Sequence, residues 1–125
     1  MDVREIISGS VSACGSETLV VEAAKELMEE SIGSLCVIDK GRLVGIVTER
    51  DFVRAVADGV APTKKVRDIM TLAPDTLDPD VSVDDAADWM LAAGYRHLPV
   101  TEDERLLGVV SIKDLLWAIE GERTR

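Results

Sequence analysis

The sequence predicts an α+β fold built from one β-α-β-β-α unit used twice. Three observations predict it. Shifted by 63 residues, the chain aligns with itself without a gap, and 14 of 62 aligned pairs are identical. Apolar residues recur at helical spacing at the same offset in both halves. Each such helix is followed by two short β-rich runs and a second helix. Two copies make a tandem pair and not a solenoid. Each copy, residues 1–60 and 64–125, is near the size where a lone core is marginal. The halves are therefore expected to pack on each other with pseudo-two-fold symmetry.

The elements follow in order. A short strand is expected near Val11 to Cys14 and again near Asp75 to Leu77. Val20, Ala23, Ala24, Leu27 and Met28 then lie at i, i+3, i+4, i+7 and i+8, one face of an amphipathic helix. Val83, Ala86, Ala87, Met90 and Leu91 repeat that face. Ser82 with Asp85 marks the start of the second of these helices, whereas Leu19 at the equivalent place offers no cap. Leu35 to Ile38 and Leu43 to Val47 flank a turn at Asp39-Lys40-Gly41-Arg42, which reads as a hairpin. Leu98 to Thr101 and Leu106 to Val110 flank Glu102-Asp103-Glu104-Arg105 in the same way. The closing helices are expected to bury Phe52, Val53 and Val56, and Leu115, Leu116 and Ile119. A linker containing Pro62 runs from Gly59 to Lys65.

Composition excludes several functions. At 125 residues the chain is the length of one domain. It has no apolar run of membrane-spanning length and no signal-peptide pattern at its start, so the cytoplasm is the expected compartment. A net charge of −10 without a compensating basic run disfavours DNA and RNA. The few, scattered aromatics make no base-stacking platform. One histidine and no C-x-x-C exclude the usual zinc sites, and no metal is expected. Cys14 and Cys36 read as buried free thiols, with a disulfide or metal pair as the weaker alternative.

The segment with the most chemistry is the strand end leading into each closing helix. Gly45-x-x-Thr48-x-x-Asp51 and Gly108-x-x-Ser111-x-x-Asp114 share one spacing. One reading is a capping box that satisfies the orphan N–H groups of the helix start. The other is an anion site, where a hydroxyl and backbone N–H groups donate to a phosphate. An Asp one turn on could then accept from ribose hydroxyls. Arg50 and Lys113 place a cation in the first turn, against the helix dipole, which a bound anion would justify. Solvated surface charge is the alternative.

Three groups of residues carry a resemblance. They are Val66-Arg67-Asp68-Ile69-Met70-Thr71, Tyr95-Arg96-His97-Leu98-Pro99-Val100, and the two segments Gly45 to Asp51 and Gly108 to Asp114. In this order, across nearly the whole chain, they resemble a tandem pair of CBS (cystathionine beta-synthase) domains, the arrangement called a Bateman module. The resemblance implies two β-α-β-β-α CBS repeats and a binding module, not an enzyme. Family members such as IMP dehydrogenase carry catalysis in other domains. It also implies adenosine-containing ligands, such as AMP, ADP, ATP or S-adenosylmethionine, held in clefts between the repeats. Asp51 and Asp114 would each bind a ribose, and Thr48 and Ser111 would meet phosphate. Arg50 and Lys113 are further phosphate candidates. Adenine would lie near Ser12-Ala13 or Thr76. Arg96 and His97 match a position where family members carry a basic residue facing the phosphates; a strand-edge histidine with a backbone partner is the alternative for His97. Cys36 stands where the second copy has Pro99, and Ser34 where it has His97, so the first copy offers less positive charge.

The expected function is a regulatory sensor of an adenine nucleotide that signals to a partner protein, with no cofactor required. A homodimer is the expected assembly. The alternatives are a structural homodimerisation module with vestigial sites, or binding of S-adenosylmethionine or NAD.

Overall fold

The computed structural model describes residues 1–7, 11–72 and 75–123. They form a mixed α+β structure in two compact units, Ser12–Pro74 (the first unit) and Met1–Val11 with Asp75–Arg125 (the second). The units cut the chain differently from the sequence repeat. The opening segment of each copy packs with the other copy's core.

In the first unit, β1 (Ala13–Cys14), β2 (Ser34–Asp39), β3 (Arg42–Thr48) and β4 (Thr71–Leu72) form a sheet in that order. β1 runs parallel to β2, and the other pairs are antiparallel. Between β1 and β2 lies α1 (Val20–Glu30), and α2 (Glu49–Ala57) leaves the end of β3. Leu19 gives α1 no side-chain cap. The linker does that work instead: Val20 N–H donates to Lys64 O at 2.7 Å and Val21 N–H to Pro62 O at 3.1 Å. Two orphan donors of the helix start are thus satisfied by backbone. The core gathers Ala23, Leu27, Leu35, Val37, Val47 and Val66.

The second unit repeats the plan. α3 (Val83–Ala93), β5 (His97–Glu102), β6 (Arg105–Ser111) and α4 (Ile112–Arg123) follow one another, with β5 and β6 antiparallel. The strand expected at Asp75 to Leu77 is reduced to one parallel bridge, Leu77 to Val100. Ser82 caps α3 as its sequence predicts, accepting from Asp85 N–H at 3.1 Å. Val3 is fully buried among Val83, Met90, Leu98 and Leu115. Both hairpins close through two residues of positive φ, Lys40-Gly41 at 52° and 78° and Asp103-Glu104 at 52° and 67°. This is the type I′ geometry that matches strand twist.

The helix faces need correction. Met28 and Leu91, expected inside, are 81% and 59% exposed. On α2, Val53 and Val56 are exposed, and the buried positions are Asp51 and Ala55, with Phe52 half-buried. On α4, Leu115 is buried but Leu116 is exposed. The phase of α2 is set by its cap at the end of β3, which lays Phe52 against its own unit's core and turns Val53 and Val56 away from it. Helical periodicity shows that a stripe exists, and does not show what covers it.

Candidate functional site

Each unit carries a strand-to-helix junction at the residues the sequence singles out. In the first, Thr48 ends β3 and lies across from Ser34 of β2. Its N–H donates to Asp51 Oδ2 at 2.8 Å, its hydroxyl donates to the same oxygen at 3.1 Å, and Asp51 N–H returns to Thr48 Oγ1 at 3.4 Å. This is the capping box in full. Asp51 is 7% exposed, and Arg54 Nη1 stands 3.6 Å from its Oδ1. Arg50 lies exposed in the same first turn. Ser12 and Ala13 sit two strand spacings from Thr48, roughly 10 Å. Ala13 pairs with Cys36, whose N–H donates to Ser12 O at 3.4 Å.

The register also decides the thiols. Ala13 is level with Cys36 and Cys14 with Val37, so the two cysteine side chains point to opposite faces of the sheet. Both are free, and burial pushes each up to about 11. At neutral pH they are protonated and poorly nucleophilic.

The second junction keeps the layout and loosens it. Ser111 ends β6 directly across from His97 of β5, so their side chains share a face. Asp114 N–H donates to Ser111 Oγ at 3.0 Å, and Ile112 N–H donates to Arg96 O at 2.9 Å. Here the box is half made: the Asp114 carboxylate is exposed and takes no hydrogen bond or ion pair among the described residues. Trp117 stands where Arg54 pairs with Asp51 in the first unit, and is 69% exposed. Arg96, His97 and Lys113 are likewise exposed and without a side-chain partner among the described residues. Thr76 is exposed beside the Leu77 bridge. Next to it, Asp75 accepts a hydrogen bond from the Tyr95 hydroxyl, which raises the phenol's pKa, and Trp89 meets the Tyr95 ring edge-on at 5.8 Å.

Two features at these junctions are added by the structure; Glu49 already reads in the sequence as a partial offset to Arg50. Glu49 Oε1 lies 3.9 Å from where a Cβ on Gly33 would stand, so a carboxylate faces the start of β2. The equivalents of Gly33 and Glu49 are Arg96 and Ile112. The offset of 63 makes both exchanges readable, since Glu49, Arg96 and Ile112 all lie within the motif segments. The Asp75–Tyr95 bond left no signal in the sequence, because nothing in the spacing links the two residues. Among the described residues no cluster of three or more His, Cys, Asp or Glu could hold a metal ion, and no helix is long and apolar enough to cross a membrane.

Comparison with known proteins bears on what these junctions belong to. The profile of the CBS domain family matches residues 3–58 and again 66–121. An uncharacterised 17.7 kDa protein of Acidianus ambivalens is 41% identical over 123 residues, covering 94% of this chain and 72% of the relative. The CBS domain pair of protein MJ0100, solved in complex with 5′-methylthioadenosine and S-adenosyl-L-methionine, is 31% identical. It superposes with a TM-score of 0.86 and 98% coverage of both chains. CBSX2, solved in complex with AMP, is 25% identical, with a TM-score of 0.85 and 98% coverage of both chains. With two matches of one profile over most of its length, and with the same strand-helix plan in each unit, this chain belongs to the CBS domain family as a tandem pair.

Proposed function

We propose that this protein is a regulatory binding module for an adenosine-containing small molecule, and that occupancy alters its association with a partner protein. The observation that carries the reading is the junction repeated in both units. Each presents a hydroxyl at a strand end, free or capped N–H groups, and a carboxylate one turn into a helix. That set suits a ribose phosphate, with N–H and hydroxyl donors for the anion and a carboxylate acceptor for the diol. The relatives solved with AMP and with methylthioadenosine and S-adenosylmethionine support the ligand class. In this reading Asp51 and Asp114 are the two candidate ribose acceptors, one at each junction. Thr48 and Ser111 lie at the phosphate with Arg50, Lys113, Arg96 and His97, and the backbone at Ser12-Ala13 or Thr76 faces adenine. No catalytic step is assigned. Signalling follows only if the ligand binds two states of the protein with different affinity.

A second function, assembly, is favoured by a separate observation. Val53 and Val56 on α2 and Leu116 and Trp117 on α4 are large apolar side chains left exposed at neighbouring positions of the repeat. We read these faces as the contact between two copies, and sedimentation of the purified protein tests that.

Thermal unfolding with AMP, ADP, ATP, S-adenosylmethionine and NAD tests the binding reading. A ligand at 100 times its Kd adds roughly 2.7 kcal/mol. In a domain of this size the midpoint should rise by several degrees. A chain whose midpoint moves with none of them is an assembly module whose junctions serve as helix caps.

A further inference from the structure

The two junctions differ in ways that bear on how many ligands the chain takes and of what charge. In the first, Asp51 is buried, and its Oδ2 is occupied by the Thr48 N–H and hydroxyl. Arg54 stands beside its other oxygen. The remaining cation of that junction, Arg50, shares it with Glu49, whose carboxylate faces the start of β2 at Gly33. An incoming phosphate would meet that carboxylate with little net positive charge to offset it. In the second junction the balance is reversed. Arg96 replaces Gly33, His97 replaces Ser34, and Ile112 replaces Glu49, while Lys113 keeps the charge of Arg50. His97 is level with Ser111, and Ile112 N–H ties the start of α4 to Arg96 O. The basic side chains and the Ser111 hydroxyl therefore lie at one end of the β5–β6 hairpin. In a chain of net charge −10, three basic side chains that have no partner among the described residues, beside a carboxylate that has none among them either, are a local exception to the surrounding field.

Resting on the reading above, we infer that the chain binds one adenosine ligand, at the second unit's junction, and that this ligand carries phosphate. Asp114 accepts from the ribose, while Arg96, His97 and Lys113 surround the phosphate. The first unit's junction is a structural cap. Its carboxylate is committed to holding β3 to α2, and Glu49 repels anions from its mouth.

Isothermal titration of the full chain with AMP and with 5′-methylthioadenosine, which lacks phosphate, tests this. The expected result is one AMP per chain. Replacing the pair by the first unit's residues, Arg96→Gly with His97→Ser, should weaken AMP by about tenfold or more, the loss of charge-assisted hydrogen bonds. It should weaken methylthioadenosine less, and Asp114→Asn should weaken both. Because these side chains are exposed, thermal unfolding without ligand should show the variants folded. Two AMP per chain, or AMP affinity unchanged in the double variant, overturns the inference and leaves the adenosine reading standing. Tighter binding of methylthioadenosine than of AMP by the parent does the same. Binding of neither compound overturns both.

Discussion

Asp51 and Asp114 occupy one place in the repeat, yet the chain uses them differently. Asp51 is buried and closes a full capping box, whereas Asp114 is exposed and contributes only its N–H to the cap. Removing Asp51 leaves Thr48 N–H without its acceptor in a part-buried place, adding to the loss of the cap. Asp51→Ala should therefore cost about 1–3 kcal/mol. At Asp114 the Ser111 cap survives substitution, so Asp114→Ala should lie within about 0.5 kcal/mol of the parent. Urea unfolding of both variants checks this, and equal losses would show that the carboxylates have the same structural role. The spacing Thr-x-x-Asp made the cap readable at this scale. It could not show whether the carboxylate is spent on the cap or left over, because that depends on burial and on whether Arg54 or Trp117 lies one turn away.

Among the elements, the hairpins were the most legible and the edges of the sheet the least. The polar breaks read at Asp39 to Arg42 and Glu102 to Arg105 are where the hairpins turn, and the strands extend to leave only Lys40-Gly41 and Asp103-Glu104, a two-residue break with few backbone solutions. The same register shift then appears at Val37/Ile38 and at Val100/Thr101, as an exact sequence offset would require. By contrast, β4 is two residues long and pairs with β3 from across a linker, at Gly45 to Leu72 and Ile46 to Thr71. No local pattern announces so short a strand. Its trace in the sequence is Gly45, which the motif carries for a reason the structure supplies. A Cβ there would stand 2.7 Å from Met70 Sδ and 2.8 Å from Thr71 O. The sulfur could swing aside, but the backbone oxygen cannot move without loosening β4. Gly45→Ala should thus destabilise the first unit by about 1–3 kcal/mol, the usual cost of overpacking. Amide exchange should speed at Thr71 and Leu72 first; a variant as stable as the parent would mean that β4 is dispensable. Val53, Val56 and Leu116 were misread for the opposite reason, while Phe52, Leu115 and Ile119 pack on their cores as expected. The helical periodicity is strong, but the cap at each strand end fixes the phase in which the helix is laid down.

At the scale of the whole molecule, the chain exchanges its opening segments. Val3 N–H donates to Val81 O and Arg4 N–H to Pro79 O, both at 2.9 Å, and Val3 is buried in the second unit. Val66 N–H donates to Thr18 O at 2.8 Å and Arg67 N–H to Ser16 O at 3.0 Å, and Val66 is buried in the first. The ion pairs repeat as well. Arg4 meets Asp80 and Glu102, while Arg67 meets Glu17 at 2.8 Å beside Lys65 on the same carboxylate. These pairs are exposed and each contributes little; the valines carry the attachment. A segment numbered with one copy thus completes the core of the other, which the sequence repeat alone conceals because self-alignment reports likeness and not contact. The consequence can be measured. Val66→Ala removes two buried methyl groups from the first unit, a loss of roughly 2 kcal/mol, between the costs of Ile→Val and Leu→Ala. Native-state hydrogen exchange should then quicken in α1, β2 and β3, although residue 66 belongs to the second copy by sequence. Val3→Ala should quicken exchange in α3, β5 and β6 in the same way. If each variant instead loosened the helices and strands of its own sequence copy, the exchanged packing would be wrong. If either loosened both sets equally, the two cores would open as one cooperative body, and ligand binding at a single junction would then be felt throughout the chain.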